Sequence, residues 1–462
     1  MFPWLTKGKS RMLLIAPIIF LTIYFLSLRS GVYEMLRQME RPTFSLGKIG
    51  IFTLLENNKV PENNWSILRI KDNIEIWALS AIVQDSETSH TIGYKHPALV
   101  IFFVANTRYL DKKANLICDI IAFNGSIKSR RAKVNTLKKS YRYKETGLQD
   151  YFITCPLYKD DTKLRKVGLR WRKASIQLDV LYPYSKPSNL TICVPILYGY
   201  FEKNMLIEWF EYYKWLGVES IHVYPWRVSK TVMDVLRFFE NKGMVVVKSI
   251  KNPVEINYKW KESMLFTNKK PMMIKAIMPP ILNECFLMNS KRSRYVLSID
   301  FDEVLMVRQK ERLFTLIERY QKQKNCHSQL TFGQYFFEVS CNKTKNHPSF
   351  LFSHVFRQKD KYFRYVAPKS IIDPRFCEYY GNHFCSRKIP AYINKKKEIF
   401  SKCLINRRDG FIAHFRKKST CFRRTVNEYT EEKSLEKLKR DLEPIFKSAK
   451  QNFAKFLQKI TI

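Results

Sequence analysis

Residues 295–306 read Tyr295-Val-Leu-Ser-Ile-Asp300-Phe-Asp302-Glu303-Val-Leu-Met306. An apolar, β-branched run ends in two carboxylates two residues apart. Side chains alternate along an extended chain, so Asp300 and Asp302 leave it on one side and Glu303 on the other. Open α/β sheets bind ligands outside the carboxyl ends of their strands. Two convergent carboxylates placed there can hold a hard divalent cation, and the cation can hold a diphosphate. A D-x-D also arises by chance in solvated turns. This one is the sole D-x-D of the chain, and it follows an apolar strand rather than a polar loop.

Upstream, hydrophobic periodicity switches repeatedly between strand and helix. Thr191–Leu197 reads as a buried strand, and Met205–Leu216 as a helix with Leu206, Phe210 and Tyr213 on one face. Val218–Tyr224 is a second strand. Lys230–Asn241 is a second helix closed by Gly243, and Met244–Ile250 a third strand. A helical stretch over Met272–Asn289, which Pro279 and Pro280 must kink, leads to the fourth strand, the one ending at Asp300. Strands alternating with helices of this length imply βαβ units and a mainly parallel sheet. Downstream, Glu311–Lys324 predicts a helix, and Leu330–Val339, Phe350–Phe356 and Tyr362–Ile372 predict strands. Glu431–Lys459 is an amphipathic helix whose apolar face, Leu435, Leu438, Leu442, Ile445 and Phe446, suits packing on the domain rather than a coiled coil. Before residue 190 the texture is of short β-like runs: Glu75–Val83, Ala98–Ala105, Leu116–Phe123, Tyr151–Pro156 and Ser175–Leu181. The basic run Lys128–Lys139 between them reads as a solvated loop. No catalytic pattern lies in this β-rich region.

With 45% apolar and 14% aromatic residues among 462, the chain can bury a sizeable core, which excludes a disordered protein. The net charge is +40, but the 81 Lys and Arg are spread along the whole length. No finger spacing, RNP-like motif or basic arm accompanies them, so the reading is of no nucleic-acid partner. A basic surface equally suits anionic substrates or a membrane face. Lys7, Lys9 and Arg11 precede Met12–Leu28, 17 residues without a charge, closed by Arg29. That length is near the lower limit for a spanning helix and exceeds the usual signal-peptide core, and no small-residue cleavage site follows. The expectation is a single-pass type II anchor with a lumenal remainder. Four N-x-S/T sequons (Asn64, Asn124, Asn189, Asn342) and ten cysteines without a C-x-x-C pair agree with an oxidising compartment. Some of the cysteines, Cys285 for example, can equally be buried thiols.

Four segments, in order and spacing, resemble glycosyltransferase family 92. They are Cys193-Val-Pro-Ile-Leu-Tyr-Gly199 with the helix Leu206-Ile-Glu208-Trp-Phe-Glu211-Tyr-Tyr-Lys214-Trp-Leu-Gly217; Asn283-Glu284-Cys285 running on to Asp300-Phe-Asp302-Glu303; Lys369-Ser370-Ile371-Ile372 with Pro374 and His383; and Ala413-His414-Phe415-Arg416. Departures are Asp373 before the proline and Glu284 in place of Asp. The resemblance implies a GT-A-like α/β domain with a mixed, mainly parallel sheet over 189–426. Before it come a tail (1–11), the anchor (12–28), a stem (29–63) and a β-rich domain (64–188); after it comes the C-terminal helix (427–462). It also implies a Golgi-located enzyme that moves a hexose, typically galactose from UDP-galactose, onto a glycan hydroxyl with inversion. The implied partners are a UDP-hexose donor, an N-glycan or other fucosylated or complex glycan acceptor, and the membrane. Asp302, helped by Asp300 and His414, is the implied ligand set for Mn²⁺ or Mg²⁺. Asp300, Arg416 and Tyr198 are implied to contact the UDP-sugar. Inversion needs a general base, for which Glu338 and Asp373 are the candidates, with Glu303 a weaker one that faces away from the pair. His383 is a candidate for contact with either sugar. The alternative from another class is a catalytically inactive, lectin-like lumenal protein that keeps the same fold.

Overall fold

The computed structural model describes residues 62–63, 65–70, 74–84, 97–107, 110, 115–136, 148–158, 161, 163–250, 270–308, 311–339, 347–359, 362–364, 367–388, 401–416 and 429–461. The expected anchor over 12–28, the stem to residue 61, Asn64, Asn342, Cys341 and Cys421 lie outside the described residues. Among the described residues no helix is long and apolar enough to cross a membrane.

From residue 188 the chain forms a mixed α/β domain. Its first strand, β1 (Ser188–Gly199), is followed by α1 (Lys203–Trp215), β2 (Ser220–Val228), α2 (Lys230–Asn241), β3 (Val245–Val247), α3 (Lys270–Asn289) and β4 (Ser293–Ser298). Then come β5 (Glu303–Val307), α4 (Leu313–Lys324), β6 (Gln329–Phe332), β7 (Gln334–Glu338), β8 (Phe356–Gln358) and β9 (Lys369–Ile372). The last elements are β10 (Cys377–Tyr380), β11 (Cys385–Lys388), β12 (Lys402–Leu404), β13 (Gly410–Arg416), β14 (Tyr429–Glu431) and α5 (Lys433–Thr461). The main sheet has the order β3-β2-β1-β4-β9-β6-β12, with β9 antiparallel to both its neighbours and the other pairings parallel. The chain winds outward from β1 to β3, then returns to place β4 on the other side of β1. Strand order therefore reverses between β1 and β4. A crevice opens at such a reversal, outside the carboxyl ends of the two strands.

A second sheet, β5-β13-β7-β8-β14, continues from the D-x-D turn. Its edge strand β5 has backbone groups with no strand partner on one side. Helix α1 covers that edge: Trp209 Nε1 donates to Glu303 O at 2.9 Å, Tyr212 Oη to Leu305 O at 2.8 Å, and Leu305 N donates to Tyr213 Oη at 2.9 Å. The aromatic ring residues that make α1 apolar thus fix the strand that carries the acidic turn.

The β-rich region is a nine-stranded sheet system in which Ile127–Arg131, Ile117–Ala122, Leu164–Trp171, Ala174–Leu181, Ile74–Gln84, Ala98–Ala105, Gln149–Pro156 and Lys133–Thr136 neighbour one another in turn. The run read as a basic loop contains two of these strands. On the outer strand Ile127–Arg131 half-buried Lys128 and Arg130 alternate with exposed Ile127, Ser129 and Arg131, and the charge blunts edge pairing. One face packs on itself through Leu99, Ile101, Phe103 and Leu169 around the Cys118–Cys155 disulfide. The other, with Trp77, Val100, Phe102 and Phe152, shares a core with Ile281 and Phe286 of α3 and Val296 of β4. Helix α3, with Pro279 and Pro280 inside it, is thus buried between the two regions.

Further expectations differ from the structure. Phe350–Ser353 is a turn of helix, and only Phe356–Gln358 of that stretch is strand. The reason is a buried carboxylate from elsewhere: Glu208 accepts from Ser349 Oγ and from the Phe350 and Leu351 N–H groups, satisfying the donors a helix start leaves open. Leu330–Val339 divides at Gly333, so that β6 joins the main sheet and β7 the second. A side chain at 333 would collide with the Tyr362 ring. Of Tyr362–Ile372, only Lys369–Ile372 is strand, with Phe363 forming an isolated bridge to Gln334. Cys285 is not a free thiol: it pairs with Cys193, and Cys326–Cys403 and Cys377–Cys385 are also bridged. Helix α5 packs as expected, burying Leu435, Leu442, Phe446 and Phe453.

Candidate active site

The crevice between β1 and β4 receives side chains from both sheets. Asp300 and Asp302 lie in the tight turn after β4, closed by Glu303 N donating to Asp300 O at 3.1 Å. Their carboxylates are 36% and 40% exposed, whereas the neighbouring Glu303 and Lys369 side chains are 2% and 0% exposed. This difference separates two groups that face the crevice from two that form its floor.

The floor is an ion cluster. Lys369 Nζ lies 2.9 Å from Asp300 Oδ2 and 3.0 Å from Glu303 Oε2, and donates to Asn382 Oδ1 at 3.3 Å. Glu303 also accepts from Asp300 N at 3.0 Å. Lys369 starts β9, the strand antiparallel to β4, which brings it beside the carboxyl end of that strand. Asn382 sits in the turn between β10 and β11, stapled by Cys377–Cys385, and receives Ser298 Oγ at 2.9 Å. Burial pushes the Asp300 carboxyl up, but Lys369, with smaller help from His414 and His383, overcomes this and holds it below the usual carboxylate range. Burial dominates at Glu303, raising it to about 7 despite Lys369. The Lys369 ammonium stays charged, because Asp300 and Glu303 outweigh the burial that opposes it.

The second carboxylate meets the distal strand. Phe415 N donates to Asp302 O at 2.7 Å, and Glu303 stands opposite His414 in the β5–β13 register. His414 Nε2 lies 3.2 Å from Asp302 Oδ2, while its Nδ1 lies 2.8 Å from Gln334 Oε1. A proton on Nδ1 is given to Gln334, and Nε2 accepts from Arg416 Nε at 3.2 Å. In that tautomer Arg416 supplies the positive charge beside Asp302 Oδ2 and the single Nε2 lone pair, a place that a divalent cation takes only if Arg416 releases that lone pair. Arg416 is further held over the Phe336 ring, 4.5 Å from its centroid.

The remaining expected residues divide clearly. Tyr198, at the end of β1, is half exposed, and burial together with the charges of Asp300 and Asp302 raises its hydroxyl, which places it on the same crevice. Glu338 pairs with Arg416 in the β7–β13 register, as Phe336 does with His414, so it shares their sheet face, and Tyr429 donates to it at 3.2 Å. Asp373 is not brought to the cluster. It follows the far end of β9, about 13 Å along the strand from Lys369, where it caps the turn Pro374–Phe376 and pairs with Arg375. His383 Nδ1 meets the Pro368 carbonyl at 2.9 Å, beside the floor. Among the described residues no group of three or more His, Cys, Asp and Glu side chains converges as a complete metal cage. Asp300 is committed to Lys369, which leaves Asp302 and His414 as the pair whose chemistry fits a divalent cation.

Lys369, Asn382 and Gln334 were not singled out as site residues by the sequence. A lysine two residues ahead of the apolar pair Ile371-Ile372 was the available signal for the first. The other two become visible only when the hairpin and β7 are placed.

Other residues of the sequence motifs serve the scaffold. Besides its role at residues 349–351, Glu208 is ion-paired at 2.5 Å with Lys450 of α5. Glu284 is buried against Lys248 at 2.8 Å, and Asn283 bonds the backbone of Tyr380.

A mixed α/β domain with an acidic turn at a strand-order reversal is an architecture that binds ligands in the crevice beside that turn. The family model "Glycosyltransferase family 92" matches residues 188–452, more than half of the chain, and the chain belongs to that family. It is therefore a glycosyltransferase, and the match runs through β14 into α5. No curated protein matches the chain. Among solved structures, HddC from Yersinia pseudotuberculosis is similar at 11% identity and a TM-score of 0.22, over 49% of this chain and 92% of that one. An apo UDP-glucose pyrophosphorylase is similar at 10% identity and a TM-score of 0.20, over 56% and 99%.

Proposed function

We propose that this glycosyltransferase is an inverting hexosyltransferase of GT-A-like architecture that uses a UDP-sugar, galactose being the hexose the family resemblance favours, and a glycan hydroxyl as acceptor. The observation that carries the reading is the opposed Asp302 Oδ2 and His414 Nε2 at 3.2 Å, at the carboxyl end of β4 and beside Tyr198. Asp302 and His414 would hold Mn²⁺ or Mg²⁺, and the bound ion supplies Lewis-acid stabilisation to the leaving diphosphate. The floor cluster keeps Asp300 ionised and oriented through Lys369, so that this carboxylate can accept from a donor hydroxyl. Arg416 presents a planar donor fork suited to a phosphate oxygen. Tyr198 offers an exposed aromatic face to the base or sugar. Of the base candidates, Glu338 is the one on the sheet face of His414 and Arg416, and it would take the acceptor proton as the hydroxyl attacks C1. An anchor over 12–28 and a Golgi lumenal location complete the proposal, consistent with four disulfides among the described residues.

The test is UDP binding by the full chain, with and without Mn²⁺, followed by transfer from a panel of UDP-hexoses onto a glycan array. Mn²⁺-dependent UDP binding that Asp302→Asn abolishes is expected. Tight UDP binding indifferent to Mn²⁺ would remove the metal from the proposal, and absence of both binding and transfer would overturn it.

A further inference from the structure

Away from the crevice, two cavities share one wall. The larger, about 620 Å³, is lined by Lys324, Tyr362, Arg364, Arg407 and Arg408 around the 404–406 backbone. The smaller, about 290 Å³, is lined by Arg308, Tyr335 and Arg357 together with the same Arg407 and Arg408. Tyr335 and Tyr362 pack across the join with ring centroids 5.0 Å apart and planes tilted by 45°, and the Arg357 guanidinium lies 4.1 Å from the Tyr335 centroid. The two cavities form one groove with aromatic walls and six cationic side chains.

Its charge is not neutralised from within. Glu432 is shared by Arg308 and Arg357, at 2.7 and 2.9 Å. The nearby Asp409 is engaged by Arg319 at 3.1 Å and by the Tyr320 hydroxyl at 2.7 Å. Among the described residues no carboxylate pairs with Lys324, Arg364, Arg407 or Arg408. Two polar atoms at the lining, Arg308 Nε and Tyr362 Oη, are buried with no hydrogen-bond partner.

The groove is separate from the donor crevice. Gln334 and Phe336 face His414, so Tyr335 between them points to the opposite face of the sheet. Arg308 follows Val307, which pairs with Gly410 four residues along from the Glu303–His414 pair, about 13 Å away.

We infer that this groove is a second binding site, specific for an acidic saccharide that carries sulfate, phosphate or carboxylate groups. Five of its six cations are arginines, whose planar forks pair oxyanions bidentately, where a merely solvated or membrane-facing surface would do as well with lysine. The part-exposed Tyr362 ring, backed by buried Tyr335, offers an apolar surface beside these cations that a sugar ring can cover. A concave site of this size suits a few sugar units better than a flat bilayer. The inference stands independently of the donor, metal and base assigned to the crevice.

The experiment is equilibrium binding of the full chain to a sulfated hexasaccharide and to its desulfated counterpart, at roughly physiological ionic strength. The Arg407→Ala/Arg408→Ala double variant is compared with Lys437→Ala/Arg440→Ala, which removes the same charge from the exposed face of α5. Arg407 and Arg408 are exposed turn residues, so their loss leaves the fold intact. The sulfated probe should bind the parent chain and the α5 variant alike, and the groove variant about tenfold or more weakly. Equal binding of the desulfated sugar, or equal weakening in both variants, would overturn the inference. So would tighter binding of anionic vesicles or single-stranded RNA through the same two arginines, because the groove would then belong to another class of partner.

Discussion

At the scale of single residues, the site is a division of labour between two neighbouring carboxylates. Asp302 looks outward to His414, and Asp300 is tied to a lysine with no exposure at all. Asp302→Asn keeps the shape but removes the charge that, with His414 Nε2, would hold the proposed cation, so transfer should fall about a hundredfold or more while the unfolding transition hardly moves. His414→Ala should fall in the same direction, with Mn²⁺ affinity reporting the loss directly. Lys369→Met has a different signature. It leaves part-exposed Asp300 and buried Glu303 side by side without their cation, which costs about 2–3 kcal/mol once solvent screening of Asp300 is allowed for. Urea denaturation should show that loss even without substrate. An unchanged midpoint would mean that the acids find another partner.

At the scale of elements, distant helices set the geometry. Helix α1 gives its aromatic hydroxyl and indole groups to the edge of β5 and its Glu208 to the start of the Phe350–Ser353 turn. Glu208 is fully buried and accepts from Ser349, Phe350 and Leu351 as well as pairing with Lys450. Glu208→Ala therefore leaves several donors and a cation unanswered, and should destabilise the domain by about 3 kcal/mol or more, readable in chemical denaturation. Strand β2 holds a second device. His222 is buried, and that burial, with Lys248 and Arg292 beside it, lowers its pKa from 6.5 to about 3. The unfolded chain thus takes up a proton that the folded chain refuses between these two values, so stability falls as pH drops through this window. Through this group alone, unfolding free energy should decrease by about 2 kcal/mol from pH 7 to pH 5, and His222→Gln should flatten that slope.

At the scale of the whole molecule, the β-rich region and the α/β domain share one core through α3, and the Cys193–Cys285 bridge fastens that helix to β1. The bridge closes a loop of sequence separation 92, and the Cys193→Ala/Cys285→Ala variant should lose about 2–4 kcal/mol. Differential calorimetry would then reveal whether the two regions still melt together. Separate transitions in the parent chain would contradict a shared core.

Much of this was legible in the chain itself. The βαβ periodicity of residues 190–300, the helices Lys230–Asn241 and α5, and the strand Ala98–Ala105 are written in patterns of 3.6 and 2, because each buries one face against a partner of its own period. The carboxylates of the D-x-D were visible for the same local reason, and the His414 segment through its resemblance to the family. The floor of the site was not. Lys369, Asn382 and Gln334 come from strands and turns more than thirty residues from Asp300, and only sheet pairing sets them beside it. Phe350–Phe356 has a strand's composition, yet a buried glutamate from α1 turns its first half into helix. The basic strands at Ile127–Arg131 and Lys133–Thr136 were hidden because an outer strand needs no apolar alternation. Sequence determined which segments are rigid and where the acidic turn falls, since those depend on neighbours along the chain. Tertiary structure decided what each charge faces: Lys369 for Asp300, His414 for Asp302, and open space for Arg407 and Arg408. Electrostatic partners are chosen by distance in space, and spacing along the chain does not encode it.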